Sequence, residues 1–198
     1  MIDQLVTYDK ELFLFLNGLG TPTWDDFWMF ITNKYYAIPL YAFLLILILK
    51  THNKKEIFFT LLLVAVLITI TDQTANLFKK TLFLRFRPCH TADLVEHMRL
   101  VKTHIINGQI EPDCGGRFGY FSGHASNAMA LATYIGLVLR KHYKYLIFII
   151  LFWAAIVGYS RIYIGVHFPG DVFTGMIVGG IYGGIIFKLR QLLIKKFT

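Results

Sequence analysis

The chain has 198 residues, 56% hydrophobic and 16% charged, with mean hydropathy +0.54 and formal net charge +8. That apolar content excludes a disordered chain, and the charge content falls below the roughly 25% of ordinary soluble domains. The basic balance raises nucleic acid as a partner, but the cations flank apolar runs, so a membrane is expected and nucleic acid is not.

The first 25 residues read as an interfacial N-terminal segment. Leu5 to Leu19 look amphipathic and short, and Asp3, Asp9, Lys10 and Glu11 replace the basic start of a cleavable signal peptide. Trp24, Trp28, Tyr35 and Tyr36 suit an interfacial aromatic belt. Apolar runs near bilayer length then cover about 27–49, 57–78, 121–139, 145–159 and 172–189. The expected fold is therefore all-α: one domain over 1–198, a polytopic bundle of about five spans, with an outer loop over 79–120. A chain this short could not cover so many apolar helices with polar surface.

Lys50, Lys54 and Lys55 follow the first run, Arg140, Lys141 and Lys144 the third, and Lys188, Arg190, Lys195 and Lys196 the fifth. Five spans put these clusters on one side, which is then cytoplasmic, and the 79–120 loop outside. Yet that loop holds Lys80, Arg85, Arg87, Arg99, Lys102 and Arg117. Topology does not ask for them there. A bound anion explains them, with attraction to anionic lipids as the alternative. Cys89 and Cys114 fall in the same loop. They read as a disulfide, as two free thiols, or as a metal site with His90, His97 or His104. In the last run, Gly175, Gly179 and Gly183 recur every four residues, with Gly180 and Gly184 beside them. Packing within the bundle is favoured there over a dimer seam.

Three clusters stand at outer ends of spans. Lys80 precedes Arg87-Pro88 by two helical turns, pairing a point charge with a planar fork suited to phosphate. Asp72 and Asn76 precede Lys80 on the same face, and Asp72 is expected to support a cation rather than to react. Ser122-Gly123-His124 open the third span, where helix N–H groups and a dipole favour an anion, or where Ser122 caps and His124 is merely interfacial. Ser160-Arg161, His167 and Asp171 join the last two spans. Pro169 and Gly170 argue against a helix through them, and a turn would return Asp171 either to His167 or to cap the span. Together these groups make a phosphate pocket with acid–base capacity and no metal constellation. Which histidine attacks stays open on residues alone, with only the turn favouring His167.

Lys80-x6-Arg87-Pro88, Phe121-Ser122-Gly123-His124 and Ser160-Arg161-x5-His167-x3-Asp171 resemble the three-part signature of the type 2 phosphatidic acid phosphatase superfamily. That superfamily includes lipid phosphate phosphatases, glucose 6-phosphatase and vanadium haloperoxidases. Phe121 departs from the usual Pro, which removes no reacting group. The resemblance implies a cofactor-free hydrolase acting on a lipid phosphate or pyrophosphate. His167 is the implied nucleophile, Asp171 its orienting group and His124 the acid and then base. Lys80, Arg87, Ser122, Gly123 and Arg161 are implied to hold the phosphate. Small bacterial relatives suggest undecaprenyl pyrophosphate first, then phosphatidylglycerophosphate, phosphatidic acid or lipid A, in an inner membrane with the site facing outward. Transfer to an acceptor other than water, and lipid binding or transport without turnover, are the rival readings.

Overall fold

The computed structural model of the protein describes residues 2–101, 103–106 and 109–197. Lys102 lies outside them, and the side chain of His104 is likewise outside the description. Among the described residues seven α-helices follow in order: α1 (Ile2–Gly18), α2 (Pro22–Thr32), α3 (Ile38–Thr51), α4 (Lys54–Leu77), α5 (Gly123–Leu139), α6 (Leu146–Tyr163) and α7 (Pro169–Phe197). A π-turn over Phe78–Leu82 extends α4. The outer loop carries a short antiparallel hairpin, β1 (Thr103–Ile106) with β2 (Gln109–Pro112), in register Thr103 opposite Pro112. Three helical stretches are long and apolar enough to cross a bilayer: Lys54–Leu82, Leu146–Tyr163 and Pro169–Phe197.

The expected first span, 27–49, is broken. α2 ends at Thr32, and α3 restarts at Ile38 with a proline in its first turn. Polar Asn33 and Lys34 and the fixed φ of Pro39 favour that break. The 14 residues of α3 span about 21 Å, short of the roughly 30 Å hydrocarbon core. α4 begins with a reciprocal capping box: Asn53 Oδ1 accepts from Glu56 N and Glu56 Oε2 accepts from Asn53 N, each at 3.0 Å.

α5 is the central helix, packed on α4, α6 and α7. Its core face brings Tyr134, Val138 and Leu139 against Leu63 and Leu67 of α4, Ile150 of α6 and Ile186 of α7. The three evenly spaced glycines of α7 make that contact possible. A Cβ on Gly175 would stand 2.6 Å from the Ser122 carbonyl, one on Gly183 2.6 Å from that of Ala130, and one on Gly179 would collide with that of Ser126. These glycines serve packing inside the bundle.

α1 does more than lie at the interface. Phe13 is fully buried and meets the Phe168 ring edge-on at 5.4 Å. Buried Asn17 donates to the carbonyls of Arg99, Ile162 and Tyr163 and accepts from Arg99 N at 2.7 Å. One amide thus ties α1, the outer loop and the end of α6 together. Gly165 lets the loop approach, because its φ is +84° and a Cβ would collide with the Arg99 carbonyl. Cys89 and Cys114 form a disulfide across 25 positions.

Candidate active site

α6 runs to Tyr163, beyond the expected end at 159, so Arg161 sits inside the helix rather than in a loop. Its guanidinium is 6% exposed; Nη1 donates to Thr32 Oγ1 at 2.5 Å, while Nε has no protein partner. Four residues after α6, His167 arrives 2% exposed, just before Pro169 opens α7. Contrary to the expected turn, Pro169 and Gly170 form the first turn of that helix. Proline suits the first helical position, where its missing N–H would have no partner.

Asp171 is therefore a first-turn residue and serves both anticipated roles. Its Oδ2 accepts from Phe168 N at 3.1 Å, capping α7, and faces His167 Nδ1 at 3.4 Å. A backbone hydrogen bond with Gly119 also engages the imidazole. With Nδ1 against the carboxylate, Nε2 is the ring nitrogen turned away from it. Burial, then the charges of Arg87, Arg161 and Lys79, hold the His167 pKa well below its ordinary 6.5, so the ring is neutral.

Two residues outside the three sequence clusters, Arg85 and Asp9, complete this half of the site. Arg85 donates to Asp171 Oδ1 at 3.0 Å and to Asp9 Oδ2 at 2.6 Å, with its guanidinium 4.1 Å above the Phe168 ring. Asp9 of α1 in turn accepts from Gly170 N at 2.8 Å. The alternation Arg85-Phe86-Arg87 was the available signal. On this extended segment, paired with Arg117–Gly119, the two arginines share a face and Phe86 points away. Arg87 donates to the carbonyls of Phe118 and Val166, each at 3.3 Å. The Cys89–Cys114 bridge fastens the loops that flank it.

The opposite wall comes from α4 and α5. Lys80, the expected phosphate ligand, is exposed and lies off the cavity, whereas Lys79 lines it. Helix phase separates the two: successive residues of a helix are turned about 100° apart, so the face that presents Lys79 to the cavity turns Lys80 away from it. Lys79 stands seven residues, two turns, after Asp72, and both line the cavity. Asp72 accepts from Asn127 Nδ2 at 3.0 Å, and Asn127 also pairs with Thr71. Ser122 is fully buried as the N-cap of α5, its Oγ accepting from Ala125 N at 3.4 Å. Gly123 and His124 reach the cavity, and a Cβ on Gly123 would lie 3.6 Å from Lys79 Nζ.

These groups surround a cavity of about 550 Å³. Lys79, Arg87, Arg161, His124 and His167 form one end, while Ile31, Tyr41, Ile68 and Val157 make an apolar flank. The structure thus gathers His167, Asp171, Arg87, Arg161, Gly123 and His124, and leaves Lys80 and the Ser122 hydroxyl off the cavity wall. His90 and His97 are exposed loop residues. Among the described residues no group of three or more His, Cys, Asp or Glu side chains could hold a metal ion.

Such an arrangement brings cations and a helix N-terminus to a tetrahedral anion beside a neutral, carboxylate-backed imidazole. Residues 56–195 match the PAP2 superfamily. A lipid A 4'-phosphatase of Bacteroides thetaiotaomicron is 36% identical over 94% of this chain and 78% of its own. One from Porphyromonas gingivalis is 35% identical over 95% of this chain and 75% of its own. The crystal structure of Aquifex aeolicus LpxE superposes with TM-score 0.60 at 26% identity, covering 90% of this chain and 93% of that one. The chain belongs to the PAP2 superfamily, among its membrane lipid phosphatases.

Proposed function

We propose that this single membrane-embedded domain removes the phosphate from a lipid A type phosphoester at the outer face of a bacterial inner membrane, through a phosphohistidine on His167. The observation that carries the reading is the convergence of Lys79, Arg87 and Arg161 on buried, neutral His167, with Asp171 behind it. His167 Nε2 attacks phosphorus in line, and the bond to the lipid oxygen breaks. His124 gives that oxygen its proton. Water then attacks the phosphorus, His124 takes the water's proton, and the N–P bond breaks to free phosphate and His167. Lys79, Arg87, Arg161 and the start of α5 neutralise the equatorial oxygens. Asp171 orients the imidazole, and Arg85 and Asp9 hold Asp171.

Two relatives similar over most of this chain are lipid A 4'-phosphatases, which moves that ester ahead of undecaprenyl pyrophosphate as the first candidate. The apolar flank of the cavity suits a headgroup whose tails stay in the bilayer. The disulfide lies at the same end of the bundle as His167, and disulfides belong to oxidising compartments, which supports an outward-facing site.

The test is phosphate release by purified protein, in EDTA, from lipid A, undecaprenyl pyrophosphate and phosphatidylglycerophosphate. Mass spectrometry is expected to show loss of the 4'-phosphate with the other lipid A phosphate intact. Hydrolysis of undecaprenyl pyrophosphate at least 100-fold faster would reassign the substrate. Failure of labelled phosphate to become acid-labile on His167 would remove the covalent step.

A further inference from the structure

A polar cavity of about 700 Å³ lies at the end opposite His167. Arg140 and Lys141 of the α5–α6 connection and Arg190 and Lys195 of α7 line it, against one carboxylate, Glu56, whose Oε2 already accepts from Asn53 N. Basic loops at this end follow from topology alone, but Arg190 does not. It is 6% exposed, inside the helix packing, with Nε on Thr60 Oγ1 at 2.7 Å and Nη2 lacking any partner. Arg161 at the catalytic end is built the same way: equally buried, held by one threonine hydroxyl, with one guanidinium nitrogen unpartnered. A desolvated guanidinium with a spare donor calls for an anion.

A second cavity of about 450 Å³ abuts the first, sharing Leu137, Phe187 and Gln191 with it. It is an apolar groove along α7 toward the middle of the bundle, floored by Gly180 and Gly184 with Ile181 and Ile185 beside them. These two glycines differ from the packing glycines. A Cβ on Gly184 would meet nothing within 4 Å, and one on Gly180 nothing nearer than 3.8 Å. Helix contact does not require them; they leave room. A cationic chamber at the rim and an apolar trough running inward from it match a phosphate headgroup and an acyl chain.

We infer that Arg190, Arg140 and Lys141 bind the phosphate of an anionic phospholipid from the leaflet opposite the active site, with one acyl chain lying over Gly180 and Gly184. The site is separate from the catalytic cavity, sharing none of its lining residues, and holds its lipid without turnover.

The test is native mass spectrometry of the full-length protein in detergent, titrated with phosphatidylglycerol, with inorganic phosphate as competitor. Wild type is expected to keep one more lipid than R140E/K141E or G184L, with affinity falling at least tenfold in each. R190Q is expected to lose it as well, and the other two variants decide the matter if R190Q fails to fold. Phosphate release by G184L is expected to stay within twofold of wild type, which separates this site from the catalytic reading. Equal lipid occupancy in all variants overturns the inference. Displacement by millimolar phosphate with no effect of G184L also overturns it, assigning the chamber to free phosphate.

Discussion

The bundle has a buried arginine near each end, and the ends differ in what surrounds it. At one end Arg161 shares its cavity with His167, whose ring is backed by Asp171 and beyond it by Arg85 and Asp9. At the opposite end Arg190 has cations for neighbours and a single capped glutamate. The difference teaches that a cationic pocket in a membrane protein binds, and that chemistry begins where a carboxylate fixes an imidazole. Within the His167 site the two histidines divide on the same principle. His167 is held and dry; His124 is exposed at a helix start, where a proton can be exchanged with water.

The contrast breaks first at the nucleophile. His167→Ala is expected to lower phosphate release by about 10⁴-fold or more with the protein still folded in detergent, and residual turnover within about 100-fold of wild type would dismiss it as attacker. His124→Ala is expected to slow the first, leaving-group step about 10³-fold with ordinary lipid substrates, and far less in the nitrophenol burst from a nitrophenyl phosphate, whose leaving group needs no proton. Equal losses on both substrates would deny His124 the acid role. Lys79→Ala should raise KM about 10- to 100-fold, whereas Lys80→Ala should stay within about twofold. The reverse result would show that Lys80, not Lys79, meets the substrate.

Asp9→Asn sharpens the picture from a distance. It keeps a partner for Gly170 N but weakens the hold on Arg85, so kcat is expected to fall about tenfold with KM nearly unchanged. A change in KM alone would make Asp9 a binding rather than a positioning residue. The smallest effect is one of pH. Because burial and three cations hold the His167 pKa below 6.5, its protonation removes the nucleophile only below that pH. The imidazole of the His124→Ala variant, followed by NMR, is expected to titrate below pH 6.5; titration at or above it would contradict the neutral ring.

Much of the His167 site was legible because it stands at helix ends. Pro88, Ser122 and Pro169 mark where elements stop and start, and His167, Asp171, Arg87 and Arg161 keep fixed spacing from them. Lys79 was passed over although it stands seven residues after Asp72, because Lys80 stands the same seven residues before Arg87. Arg85 left its signal in alternation with Arg87, but Asp9, 76 residues away, left none. The break between α2 and α3 was written in Asn33, Lys34 and Pro39 and lost among their apolar neighbours.

Hydropathy and the order of charged and helix-breaking residues therefore determined by themselves that this chain is a helical membrane protein, because bilayer length and helix periodicity act locally along the chain. Only tertiary packing decided that Arg190 is buried rather than a loop anchor, that Asp171 both caps α7 and backs the imidazole, and that α1 reaches the site at all. Those outcomes depend on which distant backbones approach, and the glycines of α7 set that approach in three dimensions.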